Sequence, residues 1–314
     1  MGGSGGRGFF PGKSDPHELI RQVRDAEAQT ENQQFDIDVG TIMAKLLADF
    51  NDRDVVAIDA HLETIRNALG QDIDGTIKLL FGGSVGKRTY VDGLSDIDAL
   101  VLIDRTELRG LPPSQVLGYF AGRLRERLPN TPLKEGSLAV TVSFTDSEIQ
   151  LVPALKHGDG FIIPAGIGDR WSPIRPKEFS TLLTELNKNL QNKLVPTIKL
   201  AKAIIGRLPE DRRLSGYHTE ALAVLALRDY HDEVTPKGLL KRFFLEAPKY
   251  VLTPVQDPTG QSTHVDEYLG AAGSLQRRLA SDSLQRIGRR MQNADGGHLV
   301  REWKEILGTP EEGQ

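Results

Sequence analysis

Asp96 and Asp98 stand two residues apart at the start of Asp96–Ile103, a run rich in branched apolar side chains. On a β-strand, residues i and i+2 point to the same face, so the two carboxylates would lie side by side. Mg²⁺ binds such oxygen ligands and shares them with substrate phosphates. Two ions about 3.5–4 Å apart could hold the attacking and leaving oxygens of a phosphoryl transfer. The spacing therefore predicts a two-metal site, although an isolated Asp-x-Asp is more often a solvated turn.

A glycine-serine turn lies twelve residues upstream of these aspartates. Gly82–Ser84 follows the strand-like run Thr76–Phe81. Glycines allow a ligand to approach the backbone closely, and the N–H groups of a turn can bind an anion. Lys87 follows, either as a phosphate contact or as part of a solvated loop. The segment lacks the spacing of a Walker A loop, so it does not predict a P-loop protein.

Together, the turn and the Asp-x-Asp pair resemble the signature of the DNA polymerase β-like nucleotidyltransferase superfamily. In that signature a Gly-Ser turn is followed by a spacer and by Asp-x-Asp on the next strand. The resemblance implies that Gly83 and Ser84 cradle the triphosphate of an NTP, and that Asp96 and Asp98 bind two Mg²⁺ or Mn²⁺ ions. ATP is the expected substrate.

A later segment, Glu148–Ala154, resembles the strand ending in Val-Pro-Ala of oligoadenylate synthase-like and cGAS/DncV-like nucleotidyltransferases. That strand carries the third metal carboxylate, usually three residues before the proline. Gln150 occupies this position here, and an amide is a poor metal ligand. Glu148 lies two residues earlier on the same strand face and is the alternative third acid. A weakened site, or a site in which two aspartates suffice, are the other interpretations.

Two lysines belong to a segment that resembles the family helix facing the triphosphate, Leu194–Ala203. Lys199 and Lys202 lie three residues apart and hence on one helix face. We expect at least one of them to contact phosphate. The alternative is that both are ordinary solvated helix residues.

The segments Leu214–Glu220 and Gln256–Gly260 resemble the Ser-Tyr-x-x-Glu and Asp-Pro elements of the family's helical lobe. In the family, the serine contacts phosphate and the aromatic ring stacks on a base. Ser215 is shifted by one position, because Gly216 stands where the serine is expected. Tyr217 is either the stacking ring or a core side chain.

The resemblance identifies the chain as a bacterial cGAS/DncV-like nucleotidyltransferase (CD-NTase), the synthase of a CBASS anti-phage signalling system. It implies a cyclic di- or trinucleotide product, pyrophosphate release, a downstream effector protein and a regulatory partner encoded in the defence operon. Three alternatives stay open: a weakened nucleotide-binding homologue, a template-independent enzyme acting on RNA, and a protein-modifying toxin-antitoxin enzyme. The long helical second half does not fit the last.

The apolar spacing predicts an α+β or α/β lobe followed by a helical lobe, and the resemblance implies the α+β, bilobal polymerase β-like nucleotidyltransferase fold. Residues 1–14 are expected to form a Gly-rich tail, residues 15–175 a core lobe with N-terminal helices and a mixed sheet, and residues 176–314 a helical lobe. Strands are predicted at Thr76–Phe81, Asp96–Ile103, Leu138–Phe144, Glu148–Leu155 and Phe161–Pro164. Helices are predicted in three stretches before residue 70 and at Pro113–Leu128, Pro176–Asn192, Val195–Arg207, Tyr217–Tyr230, Pro236–Glu246, Val265–Leu269 and Ser274–Asn293.

The composition excludes several classes of protein. The 314 residues include no cysteine, so disulfides, thiolate zinc sites and a cysteine nucleophile are excluded. The longest apolar run, Ala221–Leu227, is far too short to span a membrane, and no signal peptide is evident. We therefore expect a cytoplasmic protein. A net charge of −4 argues against an obligate nucleic-acid partner, and the arginines of Ser274–Asn293 are interpreted as a solvated helix face.

Overall fold

A mixed β-sheet and a set of packed helices make up the two halves of the chain. The computed structural model describes residues 16–50, 55–70, 78–81, 97–165, 168–256 and 266–309. The helices within these ranges are α1 (Pro16–Asp49), α2 (Val55–Gly70), α3 (Pro113–Arg127), α4 (Pro176–Asn189), α5 (Leu194–Gly206), α6 (Gly216–Leu227), α7 (Pro236–Val251), α8 (Leu275–Gly296) and α9 (Val300–Leu307). The strands are β1 (Lys78–Phe81), β2 (Ile97–Leu102), β3 (Leu133–Glu135), β4 (Val140–Ser143), β5 (Glu148–His157), β6 (Gly160–Pro164) and β7 (Trp171–Ile174).

The sheet has β2 and β5 at its centre. Its main path runs β1-β2-β5-β4-β3, and β6 and β7 extend it from the C-terminal end of β5. β2 and β5 are parallel, whereas the other described pairs are antiparallel. A parallel pair requires a crossover connection, and the chain supplies it through α3. The predicted α+β fold with a mixed sheet is confirmed.

One face of this sheet is the core of the N-terminal half. Ala99 and Val101 of β2 and Ile149 and Leu151 of β5 are buried in one apolar cluster with Phe120 of α3. These strand positions alternate along the chain, as expected when every second side chain points to the same face. The residues between them, including positions 98, 148 and 150, therefore lie on the opposite face of the sheet.

The helices after residue 175 surround a second apolar cluster, which α1 joins. Phe35, Val39 and Met43 of α1 are buried in the cluster that contains Phe243 of α7 and Trp303 of α9. The apolar cluster of the sheet is instead shared with α2 and α3, which contribute Leu62, Ile65 and Phe120. The apolar face of α1 thus packs on the helices that follow residue 175. The boundary between two lobes at residue 175 stays a prediction.

Several elements differ from the sequence predictions. α1 is one helix of 34 residues rather than two. The short strands β3 and β7 and the last helix, α9, were not expected. No helix in the described ranges is long and apolar enough to cross a membrane.

Helices α7 and α8 approach each other closely beside a proline. Pro248 lies inside α7 and lacks the N–H group that would bond to the Phe244 carbonyl one turn earlier. A Cβ atom at Gly288 of α8 would lie 2.7 Å from that carbonyl oxygen. Ser281 Oγ of α8 also donates a 2.8 Å hydrogen bond to the carbonyl of Pro248. Glycine at position 288 therefore permits this contact.

Candidate active site

Strand register places the position of one predicted metal ligand beside Gln150. Asp98 of β2 lies opposite Gln150 of β5, and Thr141 of β4 lies opposite Gln150 on its other side. Residues opposite each other on neighbouring strands share one face of a sheet, so positions 98 and 150 belong to the same face. The half-buried amide of Gln150 thus occupies the place next to position 98.

Glu148 lies on the same face, at the first residue of β5. Two residues of strand separate it from Gln150, which is roughly 7 Å. Its side chain is exposed, and Ser143 Oγ donates a 2.7 Å hydrogen bond to Glu148 Oε1. Ser143 is its direct neighbour across the β4–β5 pair. A carboxylate can accept several hydrogen bonds or metal contacts, so this single bond fixes its orientation and leaves it able to bind a cation.

Part of the predicted site lies outside the described residues. Gly83, Ser84, Lys87 and Asp96 belong to this part, and Asp98 is described only in its backbone. Within the described ranges no group of three acidic or histidine side chains is placed to hold a metal ion. Among the described side chains, Glu148 supplies the carboxylate oxygens that Mg²⁺ prefers. It lies on the face of the sheet that position 98 shares.

The two predicted phosphate-binding lysines are both buried. Lys199 and Lys202 of α5 are 9% and 6% exposed, so neither is a solvated helix residue. Lys202 Nζ lies 2.7 Å from Glu220 Oε1 of α6, and the Glu220 side chain is 1% exposed. An ammonium group has three donors, and this ion pair engages one of them.

Lys202 lies directly beneath the start of α6. A Cβ atom at Gly216, the first residue of α6, would be 3.4 Å from Lys202 Nζ. The first N–H groups of a helix carry a partial positive charge, which favours anions. The start of α6 and the ammonium group of Lys202 therefore lie together where the sequence predicts phosphate contacts.

Ser215 is the capping residue of α6. Its Oγ accepts a 3.2 Å hydrogen bond from the backbone N–H of His218, as expected for a serine cap. Its own backbone N–H donates a 2.9 Å hydrogen bond to Tyr268 Oη. The residue is exposed, so a ligand such as a phosphate can reach its hydroxyl group.

Tyr217 packs partly into the helical core. Its ring meets that of Phe179 of α4 edge to face, with the centroids 4.9 Å apart. It lies against the apolar cluster of the C-terminal helices and is half-buried. The structure thus shows the core contact that the sequence allowed, while stacking on a base stays a prediction.

A buried polar network behind Ser215 was not predicted. The imidazole of His218 is fully buried, with Nδ1 2.9 Å from Tyr268 Oη and Nε2 3.6 Å from Asp266 Oδ2. Burial lowers the pKa of His218 to about 4. Arg277 Nη1 lies 2.6 Å from Asp266 Oδ2, and both of these side chains are fully buried.

The expectation that Arg277 lies on a solvated face is therefore wrong. Its guanidinium donates to the carbonyl oxygens of Val251, Thr253 and Gly270 as well as to Asp266. A guanidinium has five donors, so a pocket of carbonyl oxygens can satisfy it away from water. No feature of the local sequence separates Arg277 from its exposed neighbours, because this pocket is built by distant segments.

The chain is similar to known proteins in one sequence domain and in its overall fold. Residues 33–187 match the model of the Second Messenger Oligonucleotide or Dinucleotide Synthetase domain, SMODS. This range extends from the second half of α1 to α4 and includes the whole described sheet. No curated protein matches the sequence.

Three solved structures illustrate the similarity in fold. E. coli MS115-1 CdnC with ATP is 18% identical, with a TM-score of 0.61 over 87% of this chain and 99% of that one. The Bradyrhizobium diazoefficiens CD-NTase CdnG in complex with GTP is 14% identical, with a TM-score of 0.66 over 85% and 94%. Vibrio cholerae DncV cyclic AMP-GMP synthase, in complex with the linear intermediate 5′ pppA(3′,5′)pG, is 11% identical, with a TM-score of 0.60 over 94% and 91%. At these identities the similarity shows a common fold.

Proposed function

Because residues 33–187 form a Second Messenger Oligonucleotide or Dinucleotide Synthetase domain, we propose that this chain joins NTPs into a cyclic oligonucleotide second messenger. The resemblance to CD-NTases is thereby confirmed, and with it the enzyme class, a nucleotidyltransferase. The observation that carries the proposal is that this domain holds position 98, Gln150 and Glu148 on one face of its central parallel strand pair. That face is the one not used for the sheet core.

The proposed reaction is attack of a ribose hydroxyl on the α-phosphorus of an NTP. A new P–O bond forms, the bond between the α-phosphorus and the bridging oxygen breaks, and pyrophosphate leaves. A second such step within one site closes the ring of a dinucleotide, and a third gives a trinucleotide. Most of the rate enhancement in such reactions comes from positioning and from charge stabilisation.

Asp96, Asp98 and Glu148 are proposed to hold two Mg²⁺ or Mn²⁺ ions. Such ions neutralise the charge that develops on the transferring phosphoryl group. Glu148 can also take the proton of the attacking hydroxyl, since its carboxylate is exposed and oriented by Ser143. Gln150 lies closer to position 98 and is proposed to donate its amide N–H groups to the nucleotide.

The other predicted residues are proposed to bind the nucleotide. Gly83, Ser84 and Lys87 would cradle the triphosphate from the sheet side. Ser215 and Lys202 are supported in this role because they lie at the start of α6, where helix N–H groups favour an anion. Lys199 and Tyr217 are proposed as a further phosphate contact and a base contact.

The molecules bound in the related structures suggest substrates and partners. CdnC and CdnG are described with ATP and GTP, and DncV with a linear 3′,5′ intermediate that contains both bases. CdnC is also described in a complex with HORMA-deltaN. For this chain we propose ATP as one substrate, a regulatory protein as a partner and a downstream effector that binds the product. Anti-phage signalling in the cytoplasm of a bacterium is the setting we propose.

A second candidate function is supported by one observation. Gln150 occupies the strand position beside position 98, where a carboxylate is expected. If the exposed Glu148 does not replace it, the chain is a nucleotide-binding homologue with weak turnover.

The experiment incubates the purified chain with four NTPs and Mg²⁺ or Mn²⁺, followed by phosphatase treatment and mass spectrometry. A phosphatase-resistant cyclic product is expected, and it should disappear in Asp96→Asn/Asp98→Asn. Glu148→Gln should lower the rate at least tenfold, whereas Glu135→Gln, an exposed glutamate of β3, is the matched control with an unchanged rate.

Gln150→Asp separates the two candidates. For an active enzyme that uses Glu148, the new carboxylate should restore turnover to Glu148→Gln. For the weakened homologue, the wild type should bind ATP without forming product, and Gln150→Asp should be the first variant that forms it. ATP binding without product in all variants, also with phage lysate added, would contradict the proposed synthase.

A further inference from the structure

The exposed Ser215 is tied to the protein interior through one tyrosine. Its backbone N–H donates to Tyr268 Oη at 2.9 Å, and the same Oη lies 2.9 Å from Nδ1 of the buried His218. Tyr268 belongs to a short 3₁₀ helix, Glu267–Leu269, that lies more than 50 residues further along the chain. The Tyr268 hydroxyl therefore links the start of α6 to a distant segment.

The charges around His218 determine which atoms donate and which accept in the hydrogen bonds of Tyr268. A neutral imidazole carries its proton on one of two nitrogens. Nε2 faces the Asp266 carboxylate at 3.6 Å, where an N–H group is attracted and a lone pair would be repelled. The proton is therefore favoured on Nε2, so Nδ1 accepts a hydrogen bond from the Tyr268 hydroxyl. The phenol oxygen then accepts from Ser215 with a remaining lone pair. Burial raises the pKa of Tyr268 to about 12, which is consistent with a protonated donor.

The inner end of the network is held firmly. Asp266 is fully buried, accepts from the backbone N–H of Val255 at 3.1 Å and pairs with Arg277 at 2.6 Å. Arg277 in turn donates to the carbonyl oxygens of Val251, the last residue of α7, and of Thr253 just after it. Buried groups with this many partners have little freedom to move, so they provide a fixed reference for Tyr268 and His218.

We infer that Tyr268 and His218 are positioning residues that hold Ser215 at the start of α6, where its Oγ can contact the phosphates of a bound NTP. The cap bond to the His218 N–H and the Tyr268 bond to the Ser215 backbone together fix the position of Ser215 at the start of α6. If this network contributed only to stability, apolar side chains could replace the buried histidine and the ion pair without loss. The network instead ends on an exposed residue beside Gly216 and Lys202. This inference rests on the proposed nucleotide-binding role of Ser215.

Tyr268→Phe is the test, because it removes the hydroxyl and keeps the aromatic ring. The dissociation constant of MgATP is measured by calorimetry on the full chain, with Tyr250→Phe as the matched control. Tyr250 is a half-buried tyrosine of α7 outside this network. We expect Tyr268→Phe to weaken MgATP binding about three- to tenfold, with the loss in KM rather than in kcat during turnover, and Tyr250→Phe to leave both unchanged.

A double-mutant cycle with Ser215→Ala decides whether Tyr268 acts through Ser215. In the Ser215→Ala background, Tyr268→Phe should cause less than a twofold further loss. Equal losses in both backgrounds, or no loss in the wild-type background, would overturn the inference.

The same readout separates this inference from the proposed function, because calorimetry does not require turnover. A chain that binds MgATP but makes no product, and still shows the coupled loss, contradicts the synthase and supports the positioning role. A wild-type chain that does not bind MgATP overturns both.

Discussion

Replacing Lys202 with methionine should leave the Glu220 carboxylate buried without its cation. The two side chains are 5% and 1% exposed, and Nζ lies 2.7 Å from Oε1. Removing one partner of a buried ion pair costs about 3–5 kcal/mol, because the remaining charge loses its compensation away from water. The expected change in the unfolding equilibrium constant is therefore about two to three and a half orders of magnitude.

The double variant Lys202→Met/Glu220→Met should recover most of this loss. Replacing a buried pair by apolar side chains of similar volume is often close to neutral. Urea unfolding of the wild type, both single variants and the double variant gives the coupling energy of the pair. We expect both single variants to be less stable than the double variant. The stability of the double variant should be close to that of the wild type.

An exposed ion pair provides the control for this measurement. Lys249 lies 2.7 Å from Glu246, but the Lys249 side chain is 67% exposed. Lys249→Met should cost less than about 1 kcal/mol, because solvent screens such a pair. If Lys202→Met costs no more than Lys249→Met, the argument from burial is refuted.

The double variant also tests the proposed contact between Lys202 and phosphate. A folded Lys202→Met/Glu220→Met chain that binds ATP more weakly than the wild type would support a direct contact. Wild-type affinity would assign Lys202 to the fold alone.

Two further predictions concern the helical half of the chain. Gly288→Ala should destabilise the fold by about 1–3 kcal/mol in a urea titration, because the new Cβ would lie 2.7 Å from the Phe244 carbonyl oxygen. The control is Gly122→Ala on α3, where a Cβ would meet no other atom within 4 Å. This change should stabilise the fold by up to about 1 kcal/mol. The stability of the fold should also decrease at low pH because of His218, whose pKa is lowered by burial from 6.5 to about 4. As the pH falls, the imidazole takes up a proton in the unfolded chain before it does so in the folded chain. The contribution of His218 to the free energy of unfolding is therefore fully present above pH 6.5 and decreases by about 3 kcal/mol as the pH falls to 4. Urea unfolding at pH 7.5 and 4.5 checks this, and a His218→Gln chain with the same pH dependence would contradict it.

Local patterns were sufficient for the elements at the centre of the fold. The predicted runs Asp96–Ile103 and Glu148–Leu155 agree closely with β2 and β5. Both have a high content of branched apolar residues between polar turns, which favours strands wherever they are placed. The helices from α4 to α8 were likewise expected from their apolar spacing.

The elements that were missed depend on their neighbours. β3 and β7 have three and four residues, and they exist through pairing with β4 and β6. The polar stretch in the middle of α1 was interpreted as a break between two helices. It contains good helix formers, and the packing of Phe35 and Val39 on the C-terminal helices supports a continuous helix.

Local sequence was enough to predict the class of reaction. The aspartate pair, the glycine-serine turn and the strand ending in Val-Pro-Ala pointed to nucleotidyl transfer, because the types of side chain and their spacing are local properties. Three features became visible in the folded chain: Gln150 lies beside position 98, Lys202 is paired with Glu220, and Arg277 is buried. Strand register and burial arise from contacts between residues far apart in the chain, so no local pattern contains them.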